Sequence, residues 1–160
     1  LHEYVVQESA SRPNLTWMPY CESAQRLAEL YSAADLFVHG GKYETFGIVS
    51  LEAQACGCPV LAIREGGVED TTLGEESRWL ATDGSATALA NSIARFLRAG
   101  DSPEQRQARR QRIERHFSNH ATFTRLLALY EHLITHGSPE GFPASVAAVH
   151  DLPHQTLRSR

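Results

Sequence analysis

Two glutamates, Glu44 and Glu52, stand eight positions apart in the stretch KYETFGIVSLEAQACGCPVLA, with a Phe46-Gly47 pair between them. A helix opening near Phe46-Gly47 would present unpaired backbone N–H groups and the positive end of its dipole. Gly47 has no side chain, so a ligand could approach the main chain closely there. A phosphate or diphosphate suits such a helix mouth. Each glutamate must then face something neutral, since a carboxylate beside a phosphate repels it. A carboxylate accepts two hydroxyl hydrogen bonds at once and so can grip a vicinal diol. A diphosphate flanked by two sugars would satisfy both glutamates, one on a ribose and one on the second sugar. The competing reading makes both residues solvated helix glutamates, with Glu44 favoured by the dipole. Spacing alone leaves the two readings level.

The flanking sequence supplies elements to hold these residues. Leu1 to Ser9 reads as the end of a helix, and NLTWMP after the Pro13-Asn14 turn as a strand. Ser23 caps a helix with Leu27, Leu30 and Tyr31 at helical spacing. DLFVH is a short buried strand, GGKYE a glycine-rich loop, FGIVSLEAQACG a helix closed by Gly57, and PVLAI another buried strand. REGGVEDTT is a loop leading into a short helix, and RWLA a further strand. Ser85 caps the next helix, Pro103 opens one running to about Phe117, and TFTRLLALYEHLI makes a last amphipathic helix. Strands alternating with helices predict an α/β fold, a partial doubly wound parallel sheet followed by C-terminal helices. Such sheets bind ligands at the carboxyl ends of their strands, where GGKYETFG falls. Three or four strands are few for a doubly wound half. With Leu1 in place of Met, this predicts that the first strands lie upstream. The expected division is a Rossmann-like domain over 1–136 and a disordered tail over 137–160.

A chain of 160 residues supports one domain with its own core. Its 42% hydrophobic and 21% charged residues are ordinary for a globular protein, and a net charge of -4 gives no global pull toward nucleic acid. No apolar run approaches the length of a membrane span and no signal peptide is evident, so a cytoplasmic setting is expected. Cys21, Cys56 and Cys58 are an odd set without zinc-ligand spacing, read as small buried thiols rather than a disulfide or metal framework.

The segment AADLFVHGGKYETFGIVSLEAQACGCPVLAIREGGVED resembles the donor-binding segment of retaining glycosyltransferases of the GT-B fold, family 4. Ala34-Asp35, Glu44, Phe46-Gly47, Glu52-Ala53, Ala55, Gly57, Pro59-Val60, Gly66-Gly67 and Glu69 all fall in register with that family's pattern. The resemblance covers roughly Leu15 to Leu97. It implies that Glu44, Thr45, Phe46 and Gly47 meet the transferred sugar, and that Gly47, Ile48 and Glu52 hold the phosphates and ribose. It implies a UDP-, GDP- or ADP-sugar donor and no metal cofactor. It also implies a sugar or lipid acceptor bound by an N-terminal domain that this chain lacks, so the fragment alone is expected to be inactive. No catalytic residue is assigned within it. Lipid acceptors in the family leave room for peripheral contact at the inner membrane face. Two departures stand out. Gly40-Gly41 replaces the family's Pro-Ser, which should loosen the loop, and the Gly-Arg and Lys that neutralise the diphosphate are missing. Related readings are a GT-B sugar phosphorylase or synthase, an epimerase (disfavoured by the glutamate pair), and a non-catalytic nucleotide-sugar-binding module.

Other features weigh less. Arg106, Arg109, Arg110, Arg112 and Arg115 share one helix with Glu104 and Glu114 interleaved, and read as a solvated face rather than a nucleic-acid or lipid patch. His39 ends a strand beside the glycine loop and is within reach of the site, although a strand-end histidine is more often structural. Trp17 and Tyr20 flank a connection that, by the resemblance, lies near the nucleotide base, where an aromatic could stack; Trp17 reads more simply as a core residue.

Overall fold

The protein is described from a computed structural model covering residues 2–72 and 74–143. At its centre two short strands, β1 (Phe37–His39) and β2 (Val60–Ala62), run parallel, with Phe37 opposite Val60 and His39 opposite Ala62. Helix α3 (Ile48–Ala55) makes the crossover that parallel strands require. Strand β2 is wholly buried, as befits a parallel sheet covered by helices. The core gathers Tyr31, Ala53, Cys58, Val60, Ala62, Val68 and Leu80. The α/β class and the parallel sheet are as the sequence implied.

The sheet is smaller than expected. Among the described residues it has two strands, extended by an isolated parallel bridge between Ile63 and Ala81. The expected strand over NLTWMP is not formed. Leu15, Trp17 and Met18 are exposed, and no ladder partner lies beside them. A strand needs a neighbour for its backbone groups, whatever its side-chain pattern. Trp17 is correspondingly not a core residue: it is 37% exposed and meets the His2 ring edge-on. Most of RWLA is also not a strand. Arg78 and Trp79 close a 3₁₀ helix over Gly74–Trp79, leaving Ala81 to bridge to Ile63.

The helices follow their capping signals. They are α1 (His2–Ser11), α2 (Ala24–Ala33), α3, the one-turn α4 (Val68–Thr71), α5 (Ala86–Ala99), α6 (Pro103–Phe117) and α7 (Asn119–His136). The Ser23 hydroxyl accepts from the Arg26 N–H, and the Ser85 hydroxyl from the Ala88 N–H. At α6, Pro103 follows a full capping box between Ser102 and Gln105. The expected tail falls largely on residues 144–160, outside those described.

The arginine-rich helix corrects the solvated-face reading. Arg109 is only 1% exposed and donates to the Gly57 carbonyl at 2.6 Å, to Glu76 at 2.9 Å and to Asp101 at 2.8 Å. Burial works against its charge, yet the two carboxylates together raise its pKa further above the ordinary arginine value. Arg106 donates to the Ser32 and Ala34 carbonyls, and Arg110 to the Cys56 carbonyl. These acceptors are the carbonyls left over where α2 and α3 end, and guanidinium groups satisfy them well. Helix α6 is thereby fastened to the ends of α2 and α3. Cys58 sits fully buried in the same turn, and burial pushes its thiol up to about 11. It packs as an inert apolar group, as read from the sequence.

Candidate functional site at the carboxyl end of β1

Strand β1 ends at His39, and residues 40–47 carry the chain over the strand end into α3. Tyr43 has φ 62°, the one left-handed non-glycine among the described residues. A tyrosine gains nothing from that conformation, and its side chain is exposed, so the path of the loop imposes it. The turn brings Glu44 back toward both His39 and the helix mouth. One Glu44 oxygen accepts from the Gly47 N–H at 3.4 Å, and the other lies 3.6 Å from His39 Nε2. The carboxylate is half-buried, against the positive end of the α3 dipole.

Gly47 caps α3 with φ 82°. The Ser50 and Leu51 N–H groups both bond to its carbonyl, so the Ile48 and Val49 N–H groups precede the helical ladder at the mouth. A side chain on Gly47 would meet Thr71 Oγ1 at 3.0 Å. The glycine therefore serves the fold as well as any ligand approach: it supplies the left-handed turn and lets the mouth of α3 pack on α4. Thr45, Phe46 and Ile48 are exposed around the mouth, and the Phe46 ring meets Phe117 edge-on.

Glu52 lies one turn beyond Ile48 on the same helix face and is exposed. Its charge reaches Tyr31, whose hydroxyl pKa is raised first by burial and then by Glu52. The six residues read as a site, Glu44 to Ile48 and Glu52, thus lie on one loop-helix junction.

Two features escaped the sequence. The first is the bed beneath the loop. The Gly67 N–H donates to the Glu44 carbonyl at 2.7 Å, and a Cβ on Gly67 would fall 2.4 Å from the Thr45 carbonyl oxygen. The absence of side chains at Gly66 and Gly67 is thus what lets the Glu44–Phe46 backbone lie this close. The paired glycines signalled it, but not what they faced. The second is the His39–Glu44 contact, signalled only by a histidine five residues before the glutamate. Gly41 matters here: a side chain there would meet His39 Nε2 at 2.8 Å, while Gly40 faces open space. On the far side of the loop Lys42 lies over Gly84, next to Asp83. The Asp83 carboxyl pKa is lowered chiefly by hydrogen bonds from Ser85, with Lys42 adding to the effect.

A parallel α/β core with a carboxylate and a glycine-capped helix mouth at a strand's carboxyl end is a ligand-binding arrangement of doubly wound α/β domains, the class to which the GT-B fold belongs. Residues 3–116 match the family model for glycosyl transferases group 1, and the chain belongs to that family. It is 37% identical over 109 residues to the D-inositol 3-phosphate glycosyltransferase of Salinispora tropica, covering 68% of this chain and 23% of the relative. To D-inositol 3-phosphate glycosyltransferase 2 of Catenulispora acidiphila it is 32% identical over 132 residues, 82% of this chain and 26% of that one. The fold is similar to that of sucrose-phosphate synthase from Thermosynechococcus elongatus, with a TM-score of 0.67 and 34% identity, covering 84% of this chain and 34% of the other. The chain therefore spans about a quarter of the length of these curated relatives.

Proposed function

We propose that this chain is the nucleotide-sugar-binding part of a retaining glycosyltransferase that moves a hexose from a UDP-, GDP- or ADP-sugar to a sugar or lipid acceptor. The observation that carries the reading is the Glu44 carboxylate held at the mouth of α3 with Glu52 one helical stretch beyond it. In this reading Glu44 takes hydroxyls of the transferred sugar, with Thr45, Phe46 and Gly47 around it. The Ile48 and Val49 amides face the diphosphate and Glu52 grips the ribose diol. As the glycosidic bond breaks, charge grows positive on the sugar and negative on the diphosphate. Glu44 and the helix mouth are placed to stabilise the two, and such preorganised groups act most strongly where charge develops.

No metal takes part in this scheme, in which the Ile48 and Val49 amides at the helix mouth face the leaving group. The acceptor is held by an N-terminal domain, and the fragment turns nothing over alone. A cytoplasmic setting goes with this reading, as does peripheral contact at the inner membrane face when the acceptor is a lipid. Among the described residues no helix is long and apolar enough to cross a membrane.

The test is calorimetric titration of the chain with UDP, GDP, ADP and their sugar conjugates, in EDTA. One nucleotide family should bind, and its sugar conjugate more tightly than the free diphosphate. Glu52→Ala should weaken both by about tenfold or more, since a charge-assisted hydrogen bond is worth roughly 1.5–3 kcal/mol. Indifference to every nucleotide, or equal affinity for ribose and 2'-deoxyribose forms, would overturn the assignment.

A further inference from the structure

We propose that His39 is a positioning residue for Glu44, its Nε2–H fixing the carboxylate in the orientation that meets a donor-sugar hydroxyl. The inference rests on the reading of Glu44 as a sugar contact and adds the residue that aims it. The His39 ring is held from three sides. Its backbone is in the ladder opposite Ala62, its ring stacks on Phe37 at 6.1 Å, and Gly41 lies against its outer edge. A Cβ at position 41 would stand 2.8 Å from Nε2, so the glycine is what lets the imidazole occupy this place.

The ring nitrogen that faces the loop is buried and makes no hydrogen bond. The Glu44 carboxylate is 3.6 Å away, just beyond bonding distance. A buried ring nitrogen left without a partner is costly, and in the Nε2–H tautomer the nitrogen and the carboxylate meet that cost by closing the remaining gap. Closing it clamps the carboxylate at both oxygens, one on the Gly47 N–H and one on His39. The oxygens' other lone pairs stay available to hydroxyls. Two donors define the carboxylate plane where one would leave it free to rotate, and preorganised groups bind without the entropy of ordering. His39 touches no reacting atom in this scheme and transfers no proton.

The experiment compares His39→Leu and His39→Gln in the 160-residue chain, titrated with UDP-glucose, GDP-mannose, ADP-glucose and the three free diphosphates. His39→Leu should bind the recognised nucleotide-sugar about tenfold more weakly while binding its free diphosphate as before, the loss of one charge-assisted hydrogen bond. His39→Gln, whose amide N–H can reach the same carboxylate, should recover most of that loss. Adding Glu44→Gln to His39→Leu should cost nothing beyond Glu44→Gln alone, since the histidine acts through the glutamate. A ligand-free arm uses nitrogen-15 NMR of the imidazole: the Nε2–H signal of His39 should move in Glu44→Gln. Equal losses for diphosphate and nucleotide-sugar, or no loss at all, would sink the proposal, as would an imidazole signal indifferent to Glu44→Gln. Should the unmutated chain bind no nucleotide-sugar, the functional reading fails on its own, and the NMR arm still decides whether His39 holds Glu44.

Discussion

Glu44 has two jobs available at one position, and charge separates them. As the acceptor for the Gly47 N–H it is a helix-start carboxylate, favourable with the dipole by about 0.3–1 kcal/mol. As a sugar contact it must hold hydroxyls whose ring gains positive charge in the transition state. Glu44→Gln keeps the shape and a carbonyl acceptor while removing the charge. We expect the free diphosphate to bind unchanged and the nucleotide-sugar several-fold more weakly, with turnover in an enzyme carrying both domains falling further still. Full sugar affinity with a lowered melting temperature would return Glu44 to the capping role alone. The helix mouth at Gly47 was legible in the chain, while spacing alone left the two glutamates level between a ligand role and a solvated one, and only the family resemblance assigned them to a donor. Tyr43 could not be read, since nothing in a tyrosine prefers φ 62° and only the folded loop imposes it. His39 was half legible: its place at a strand end was visible, its partner was not.

At the scale of elements, the site is a loop lying on another loop. The Glu44–Phe46 backbone rests on Gly66 and Gly67, close enough that a side chain on Gly67 would sit 2.4 Å from the Thr45 oxygen and 2.5 Å from Phe46 Cα. Gly67 itself has φ -63°, which any residue adopts, so space alone demands the glycine. Gly67→Ala should therefore push residues 44–46 off their bed, costing about 1–3 kcal/mol as overpacking does and lowering nucleotide-sugar affinity with it. Gly40→Ala is the control: nothing lies within 4 Å of its added methyl, and both stability and binding should hold. Thermal melts and titrations of the pair check this, and equal behaviour of the two variants would mean the loop does not need its bed. The helices were legible because caps are local: Ser23, Ser85 and Pro103 act on the N–H groups beside them. The strand over NLTWMP was misread because a strand is not local. Its pattern fits a sheet, but a strand exists only where a neighbour takes its hydrogen bonds.

Across the whole molecule, Arg109 ties together parts that are distant in sequence. From α6 it reaches Gly57 at the end of α3, Glu76 in the 3₁₀ helix and Asp101 before α6 itself. The network is incomplete, since Arg109 Nε and one Glu76 oxygen are buried without partners, so its net worth is below the sum of its bonds. Breaking it is another matter. Arg109→Leu leaves Glu76 buried without its cation and Asp101 with Arg106 alone, a loss of about 3–5 kcal/mol. That is a large part of the roughly 5–15 kcal/mol by which a domain is stable. Arg109→Lys should recover only part, because an ammonium cannot serve three acceptors from one planar fork. Replacing Arg109 and Glu76 together by apolar residues of similar volume should restore much of the stability, since Asp101 keeps its pairing with Arg106 and no buried charge is left without a partner. Ligand affinity gives the second readout. Arg109 grips the carboxyl end of α3, whereas the proposed donor site lies at its amino end, eight residues or roughly 12 Å away. Well below the melting temperature, Arg109→Leu should bind nucleotide-sugar as the unmutated chain does, while urea unfolds it at a much lower midpoint. A midpoint shift of less than about 1 kcal/mol would show that solvent or local relaxation compensates the buried acids. Lost affinity in the still-folded variant would show instead that α3 transmits strain from one end to the other.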